Sequence, residues 1–164
     1  NRLRTIADRF SQIGSKAELE RTEVNEVVAK TVAYMRKRIS RQIALTFEAT
    51  DTYYAMLNVP LFEWVIENLC KNAVDAMRED GEIRFILTAK DTCICLDVCD
   101  NGKGISKQHI NRVFRPGFTT KKRGWGLGLS LVHRIVHEYH KGKIYVRHSE
   151  VNVGTTFRIE LQKA

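Results

Sequence analysis

The chain has 164 residues, of which 43% are hydrophobic and 28% charged, and its formal net charge is +8 at pH 7. This length and apolar content suit one folded domain and exclude an intrinsically disordered chain. We expect no membrane-spanning segment, since no run of about 18 apolar residues occurs, and no signal peptide, since residues 1–20 are polar and charged. The basic charge suits phosphate-bearing ligands, acidic partners or nucleic acid without distinguishing among them.

Helical spacing of apolar residues begins at the amino terminus. A stripe from Leu3 to Ile13 predicts a helix that is too short to bury itself, so we expect it to be the end of a helical hairpin rather than an independent terminal helix. A second helix is predicted from an N-cap at Asn25 to about Ile39.

Further along the chain the pattern alternates between strands and helices. A helix is predicted from Pro60 to about Met77, because proline suits a first helical turn. Two more helices are predicted at 107–113 and 127–139. Strands are predicted at 42–48, 53–57, 82–90, 92–99, 143–148 and 155–161. The fold class is therefore α/β (α+β): a two-layer sandwich in which a mixed, mostly antiparallel sheet packs against about three helices.

The helix that starts at Pro60 carries amide and carboxylate groups on one face. Asn68, Asn72 and Asp75 stand at positions i, i+4 and i+7, which share a helical face. Magnesium prefers hard oxygen ligands and completes its coordination with water and substrate phosphates, so an asparagine carbonyl and a triphosphate would suit it. The alternative is a solvated polar face.

Asp100 stands at the end of a predicted strand, before Gly102 and Gly104. A carboxylate there can accept a hydrogen bond from an exocyclic amine such as that of adenine. The glycines allow the backbone to approach a planar ligand closely. The alternative is a simple turn.

A glycine-rich segment opens the helix predicted at 127–139. Its glycines are Gly124, Gly126 and Gly128. Free backbone N–H groups at the positive end of a helix attract phosphate, and Lys121, Lys122 and Arg123 add charge just before it. The loop from Phe114 to Gly124 could close over a ligand as a lid. The alternative is a solvated loop.

The four cysteines, Cys70, Cys93, Cys95 and Cys99, allow two interpretations. Three of them lie in one predicted strand, whereas a structural zinc site usually takes cysteine pairs separated by a turn. We therefore expect buried, reduced thiols, which suits a cytoplasmic domain.

Taken in order, four segments resemble the N, G1, F and G2 boxes of the catalytic, ATP-binding domain of bacterial sensor histidine kinases, which have the Bergerat fold. The segments begin at Glu67, Asp100, Phe114 and Gly124. The resemblance covers about residues 22–162. It implies two domains: the end of the second helix of a dimerisation and phosphotransfer hairpin with a linker at 1–21, and a catalytic ATP-binding domain at 22–164.

The resemblance also implies roles for individual residues. Asn72 matches the magnesium-ligating asparagine, Asp100 the aspartate that recognises adenine, and Phe114 the F-box aromatic residue. Thr155 resembles the threonine near that aspartate, with Thr156 as the alternative. The implied nucleotide-binding set is Asn68, Asn72, Asp100, Gly102, Gly104, Phe114, Lys121, Arg123, Gly124, Gly126, Gly128 and Thr155.

The implied activity is that of a protein-histidine kinase that uses ATP and Mg²⁺. The ATPases of the same superfamily carry a glutamate as general base where this chain has Asn68, and an amide cannot serve as a base. The phosphoacceptor is expected to lie outside the chain, because His137-Glu138 fits the acceptor pattern but lies on the wrong helix. We therefore expect little turnover from this chain alone.

The implied partners are the phosphoacceptor hairpin and a response regulator, in a homodimeric full-length protein that could be membrane-anchored. The alternatives are a Bergerat-fold ATPase or protein-serine kinase and, from the charge of +8, a nucleic-acid-binding module. No nucleic acid partner is expected, because a phosphate site and an exposed surface account for the charge.

Overall fold

The computed structural model of the protein describes residues 18–118 and 128–164. Its elements in chain order are β1 (Glu20–Glu23), α1 (Val24–Arg36), β2 (Ile43–Ala49), β3 (Tyr54–Leu57), α2 (Val59–Asp75), β4 (Gly81–Lys90), β5 (Cys93–Asp100), α3 (Lys107–Ile110), α4 (Gly128–Arg134), a π-helical turn (Ile135–Tyr139), β6 (Lys143–Glu150) and β7 (Gly154–Gln162). The terminal helix predicted from Leu3 to Ile13 lies outside the described residues. Lys121, Lys122, Arg123, Gly124 and Gly126 also lie outside them.

The main sheet has five strands in the order β2-β4-β5-β7-β6. β2 pairs with β4 in parallel, and the other neighbours are antiparallel. One face of the sheet carries Ile94, Leu96 and Val98 into a core shared with the helices. The predicted two-layer α+β sandwich with a mixed, mostly antiparallel sheet is confirmed. No helix in the described ranges is long and apolar enough to cross a membrane.

Helix α2 begins one residue before the predicted Pro60. Asn58 caps it, because its side-chain oxygen accepts a hydrogen bond from Leu61 N at 3.1 Å. Eight residues of α2 are buried against the sheet and α1: Leu61, Phe62, Trp64, Val65, Ile66, Leu69, Cys70 and Ala73. Burial of this stripe turns the amide-bearing face of the helix away from the core.

The prediction of an N-cap at Asn25 was wrong. Helix α1 already begins at Val24, and Asn25 instead donates to Asp51 O at 2.9 Å and accepts from Tyr53 N at 2.8 Å. Its side chain satisfies backbone groups between β2 and β3, so a tertiary contact uses the capping chemistry. The helix also ends at Arg36, three residues before the predicted Ile39.

Strand β1 was not predicted. It pairs antiparallel with β3, Glu20 opposite Leu57 and Glu23 opposite Tyr54, in a separate two-stranded sheet. The predicted boundary between residues 21 and 22 therefore falls inside a strand. The division into two domains stays a prediction.

The outer face of the main sheet has one buried acidic group. Asp97, which is 4% exposed, accepts from Arg158 Nε at 2.7 Å and Nη2 at 2.8 Å, and from Arg147 Nη1 at 2.8 Å. The two guanidinium groups compensate the charge that the carboxylate carries into the protein. Cys95 is buried on the same face, and all four cysteines are free thiols.

Candidate functional site

The amide face of α2 contacts the beginning of α4. Asn68 donates from Nδ2 to Trp64 O, one turn back on its own helix, at 3.0 Å. This bond directs Asn68 Oδ1 away from the helix, towards Gly128. A side chain at Gly128 would bring its Cβ within 3.2 Å of that oxygen. The N and G2 segments therefore meet where position 128 lacks a side chain.

Asn72 lies one helical turn after Asn68 and is half-buried. Within the described ranges, no residue forms a hydrogen bond with its side-chain amide. A half-buried carbonyl oxygen without a protein partner is a hard ligand of the kind that Mg²⁺ accepts. The donor chemistry at Asn72 thus fits a magnesium ion carried by a nucleotide.

The turn after β5 packs against the end of α2. Lys103 N donates to Ala76 O at 2.8 Å, and Gly102 is so close that a Cβ there would lie 2.6 Å from the same oxygen. Gly102 N also donates to Asp100 Oδ1 at 2.9 Å. This packing holds the Asp100 carboxylate beside the end of the helix that carries Asn68 and Asn72.

Asp100 is a partly buried carboxylate without a cationic partner among residues 18–118 and 128–164. Burial raises its pKa, and hydrogen bonds from the backbone N–H groups of Gly102 and Thr155 offset part of that increase. The group is therefore held in place by N–H donors, and no cation in the described part of the chain compensates its charge. A carboxylate of this kind can accept a further hydrogen bond from a ligand amine.

Thr155 lies directly opposite Asp100 in the β5–β7 pairing and is 5% exposed. Thr156 pairs with Cys99 and, as strand geometry requires, faces the opposite side of the sheet. The alternation of the strand thus favours Thr155 over Thr156 as the companion of Asp100.

Phe114 anchors the segment that precedes residues 119–127. Its ring lies 6.0 Å from the ring of Phe157 and 5.4 Å from that of His133, measured between centroids. Phe118 packs edge-on against His109 at 5.3 Å. Both aromatic residues of the F segment are thus packed against protein, with Phe114 linking β7 to α4.

The structure gives His137 a structural role. Its Nε2 accepts a hydrogen bond from Ile144 N at 3.1 Å, and its ring stacks on His133 with centroids 3.9 Å apart. Its neighbour Glu138 pairs with Arg134, four residues earlier. A nitrogen that accepts a backbone N–H is not available as a nucleophile, in agreement with our exclusion of this pair as the phosphoacceptor.

The structure brings most of the predicted site residues together. Asn68, Asn72, Asp100, Gly102, Thr155 and Gly128 lie on elements that contact one another, as described above. Gly104 holds the same turn to the β6–β7 hairpin, where Asn152 N donates to Lys103 O at 2.8 Å. Lys121, Arg123, Gly124 and Gly126 lie outside the described residues, so their roles stay predictions.

Sequence reasoning missed Ser149, which lies in hydrogen-bond contact with Thr155 at 2.8 Å between hydroxyl oxygens. No local pattern marks it. Its orientation depends on an irregularity in β6, between Val146 and His148. Only an analysis of strand register could have found it.

Comparison with known proteins gives consistent results. Residues 58–164 match the family model described as histidine kinase-, DNA gyrase B-, and HSP90-like ATPase. The chain is 39% identical over 123 residues to the sensor histidine kinase ZraS of Escherichia coli K12, covering 74% of this chain and 26% of ZraS. It is 39% identical over 113 residues to sporulation kinase A of Bacillus subtilis 168, covering 69% of this chain and 18% of the kinase.

Solved structures agree with these relatives. The catalytic domain of the histidine kinase ThkA superposes with a TM-score of 0.80 at 29% identity, covering 89% of this chain and 96% of that domain. ThkA in complex with the response regulator protein TrrA matches with a TM-score of 0.78 at 27% identity, covering 99% of this chain and 48% of ThkA.

The chain spans about a quarter or less of the length of the two curated relatives. The match nevertheless includes the segments on which the resemblance rested, from the amide-bearing helix to the last strand. The chain therefore belongs to the family of histidine kinase-, DNA gyrase B- and HSP90-like ATPases, and within it is homologous to the catalytic domains of sensor histidine kinases.

Proposed function

We propose that this domain binds Mg²⁺-ATP and transfers the γ-phosphoryl group to a histidine on a helical hairpin of a longer protein. The proposal rests on the contact between Asn68 on α2 and Gly128 at the start of α4. One turn away lies Asn72, whose side-chain amide has no hydrogen-bond partner among residues 18–118 and 128–164. ATP is the nucleotide because the family is one of ATPases. The magnesium ion and the roles of individual residues are the proposal.

The adenine end would be formed by Asp100 and Thr155. The carboxylate would accept a hydrogen bond from the exocyclic amine of the base. Because N–H groups of Gly102 and Thr155 hold Asp100, the acceptor is ordered before the ligand arrives. Ordered acceptors reduce the entropic cost of binding.

The phosphate end would lie between α2 and the segment that includes residues 119–127. Asn72 would hold the magnesium ion, which neutralises charge on the phosphate oxygens when bound. Backbone N–H groups of Gly124, Gly126 and Gly128 would donate to the phosphates, and Lys121 and Arg123 would add positive charge. In phosphoryl transfer such positioning and electrostatic stabilisation supply most of the acceleration.

Asn68 favours phosphotransfer over hydrolysis. Its amide nitrogen donates to Trp64 O, and an amide has no lone pair basic enough to deprotonate water. The nucleophile must then be reactive without deprotonation by Asn68, as the neutral imidazole of a histidine is. The acceptor is proposed to lie on a helical hairpin of the longer protein, and residues 1–21 are proposed to be the end of its second helix and a linker.

The partners proposed for the full-length protein are the phosphoacceptor hairpin, a response regulator and a second copy of the chain. ThkA, whose structure is similar, has been solved with the response regulator TrrA. The named curated relatives are a sensor histidine kinase and a sporulation kinase. We further propose that the domain acts in the cytoplasm.

A transfer assay tests the proposal. A separate hairpin bearing the upstream histidine is mixed with the 164-residue chain and ATP labelled in the γ-phosphate. We expect label on the hairpin, loss of transfer with Asn72→Ala, and normal transfer with Lys30→Ala on the exposed side of α1.

Two results would contradict the proposal. One is equal transfer, or equal absence of transfer, by wild type and Asn72→Ala. The other is rapid ATP hydrolysis by the chain alone that disappears in Asn68→Ala, because that result would identify an ATPase.

A further inference from the structure

Strand β6 contains a bulge that changes which side chains face the helices. Val146 pairs with Phe157, yet His148 pairs with Thr156, so Arg147 is an extra residue in the ladder. Arg147 uses this position to reach Asp97 on the outer face. A regular strand would turn His148 towards the helices, whereas the bulge turns Ser149 there, opposite Thr155.

The hydroxyl group of Ser149 joins three backbone segments. Its oxygen accepts a hydrogen bond from Ile105 N at 2.8 Å, in the turn that follows Asp100. It lies 2.8 Å from Thr155 Oγ1 and 3.3 Å from Gly154 O. Ser149 thus connects the G1 turn with the start of β7 at the threonine beside Asp100.

The single proton of the Ser149 hydroxyl bears on whether the Thr155 hydroxyl donates or accepts a hydrogen bond. The Ser149 hydroxyl has one proton to donate, and one of its lone pairs is used by Ile105 N. Ser149 donates to Gly154 O at 3.3 Å, and either hydroxyl can donate in the shorter 2.8 Å contact with Thr155. When a ligand acceptor takes the Thr155 proton, the Ser149 proton can turn from Gly154 O to the nearer Thr155 oxygen. The Thr155 hydroxyl then accepts from Ser149 while it donates its own proton to the ligand.

A hydroxyl donor beside Asp100 distinguishes adenine from guanine. Adenine presents an amine donor next to the N1 acceptor, which matches a carboxylate acceptor beside a hydroxyl donor. Guanine presents a carbonyl acceptor next to an N1–H donor, which is the reverse arrangement. A site built to pair with one pattern strongly rejects the other, because buried polar groups would be left unpaired.

We propose that Ser149 is a positioning residue for nucleotide specificity: the bulge at Arg147 presents its hydroxyl to Thr155, and this contact orients the Thr155 proton towards the adenine edge. The inference rests on the proposed function, in which Asp100 and Thr155 hold adenine. Ser149 itself does not contact the base. Its effect passes through Thr155, either directly to adenine N1 or through one water molecule.

The test compares the affinities of the 164-residue chain for ATP and GTP by calorimetric titration in the presence of Mg²⁺. We expect Ser149→Ala to weaken ATP binding about 3- to 10-fold while leaving GTP binding nearly unchanged, as one lost hydrogen bond predicts. Ser149→Thr keeps the hydroxyl and should restore discrimination. Thr156→Val removes a hydroxyl from the other face of β7 and should change neither affinity.

Thermal unfolding of each variant accompanies the titrations. Thr155→Val removes the other hydroxyl of the contact between Ser149 and Thr155. If Ser149 acts through Thr155, adding Ser149→Ala to Thr155→Val has no further effect on the ATP-to-GTP ratio. Equal loss of ATP and GTP affinity in Ser149→Ala, or an unchanged ratio in a folded variant, would overturn the inference. If discrimination is lost in Asp100→Asn and kept in Ser149→Ala, this inference fails and the proposed function stands. If the wild type does not bind ATP, both fail.

Discussion

His140 Nε2 accepts a hydrogen bond from the backbone N–H of Asn58 at 3.1 Å, while His140 Nδ1 lies 3.0 Å from Ile135 O. The imidazole is therefore neutral, with its proton on Nδ1 donated to the carbonyl group. This side chain is 7% exposed and joins the N-cap of α2 to the end of the π-helical turn after α4. The two helices that meet at Asn68 and Gly128 are thus also fixed to each other through His140.

The neutral state of His140 makes stability depend on pH. Burial lowers the pKa of His140 below its usual value near 6.5, and burial together with His137 lowers that of His133. The unfolded chain therefore binds more protons than the folded one just below pH 6.5, so the free energy of unfolding falls as the pH decreases. Denaturant titrations between pH 7.5 and 5.5 should show this fall.

Histidine variants distinguish the loss of stability caused by protonation of His140 from the loss caused by other groups that titrate in acid. His140→Ala should cost about 2 kcal/mol of stability at pH 7.5, because it leaves Asn58 N without its acceptor. It should also reduce the dependence of stability on pH, because it removes the imidazole that titrates. His148→Ala, at an exposed position on β6, should keep the full dependence. An unchanged slope in His140→Ala would show that other groups cause the loss of stability.

Asp100→Asn should separate stability from binding. Burial raises the pKa of Asp100, so the ionised form is favoured less in the folded than in the unfolded state, and its contribution to stability decreases as the pH rises through the folded pKa. At pH 7 the amide should therefore leave the unfolding temperature unchanged or higher. ATP affinity should fall at least about 10-fold with the loss of a charge-assisted hydrogen bond.

Titration calorimetry and thermal denaturation of the same Asp100→Asn sample check both parts. Unchanged ATP affinity would exclude this carboxylate from adenine recognition. A large loss of stability would mean that the N–H groups of Gly102 and Thr155 require the charge.

Two glycines with positive φ allow a matched comparison. Gly104 has φ +72°, and a Cβ there would overlap Glu150 O, whereas Gly117 has φ +82° with nothing within 4 Å. Gly117→Ala should cost only the conformational penalty of about 1 kcal/mol. Gly104→Ala should cost more than about 3 kcal/mol, because the turn and the β6–β7 hairpin must separate.

Chemical denaturation of both glycine variants measures the difference, and ADP binding reports on the turn. Similar free energies of unfolding for the two variants would show that the contact between Gly104 and Glu150 can relax.

The buried ion pairs at Asp97 should matter far more than an exposed pair. Asp97→Ala leaves the mostly buried guanidinium of Arg158 without its carboxylate, which should cost about 3 kcal/mol. Glu48→Ala breaks the pair with Arg84, whose side chains are 57% and 47% exposed, and should cost less than about 1 kcal/mol.

Urea denaturation of the two carboxylate variants gives the comparison. Equal costs would mean that Arg158 finds water as readily as Arg84 does once its partner is removed.

Features that depend only on residues close together in the sequence could be predicted. The amide face of α2 was predicted because helical periodicity places Asn68 and Asn72 together whatever the remaining chain does. The start of that helix was predicted within one residue from Pro60. The role assigned to Asn25 failed because the same side-chain chemistry that caps a helix also satisfies a distant loop, here at Asp51 and Tyr53.

Features that depend on contacts between distant parts of the sequence could not be predicted. Strand β1 has no alternation of apolar and polar residues and forms by pairing with β3, more than 30 residues later. The parallel pairing of β2 with β4 spans about the same separation and has no local signal. Strand pairing is decided by which partner completes the buried face, and this depends on the whole chain.

The sequence by itself determined the family, the order of the elements after β1 and the residue types at the proposed nucleotide site, because these follow from local periodicity and from four motifs in order. The tertiary structure decided which of those residues meet: Asn68 with Gly128, Thr155 rather than Thr156 with Asp100, and Ser149 with Thr155. The reason is physical. Side-chain direction in a sheet depends on register, and one extra residue in β6 reverses it.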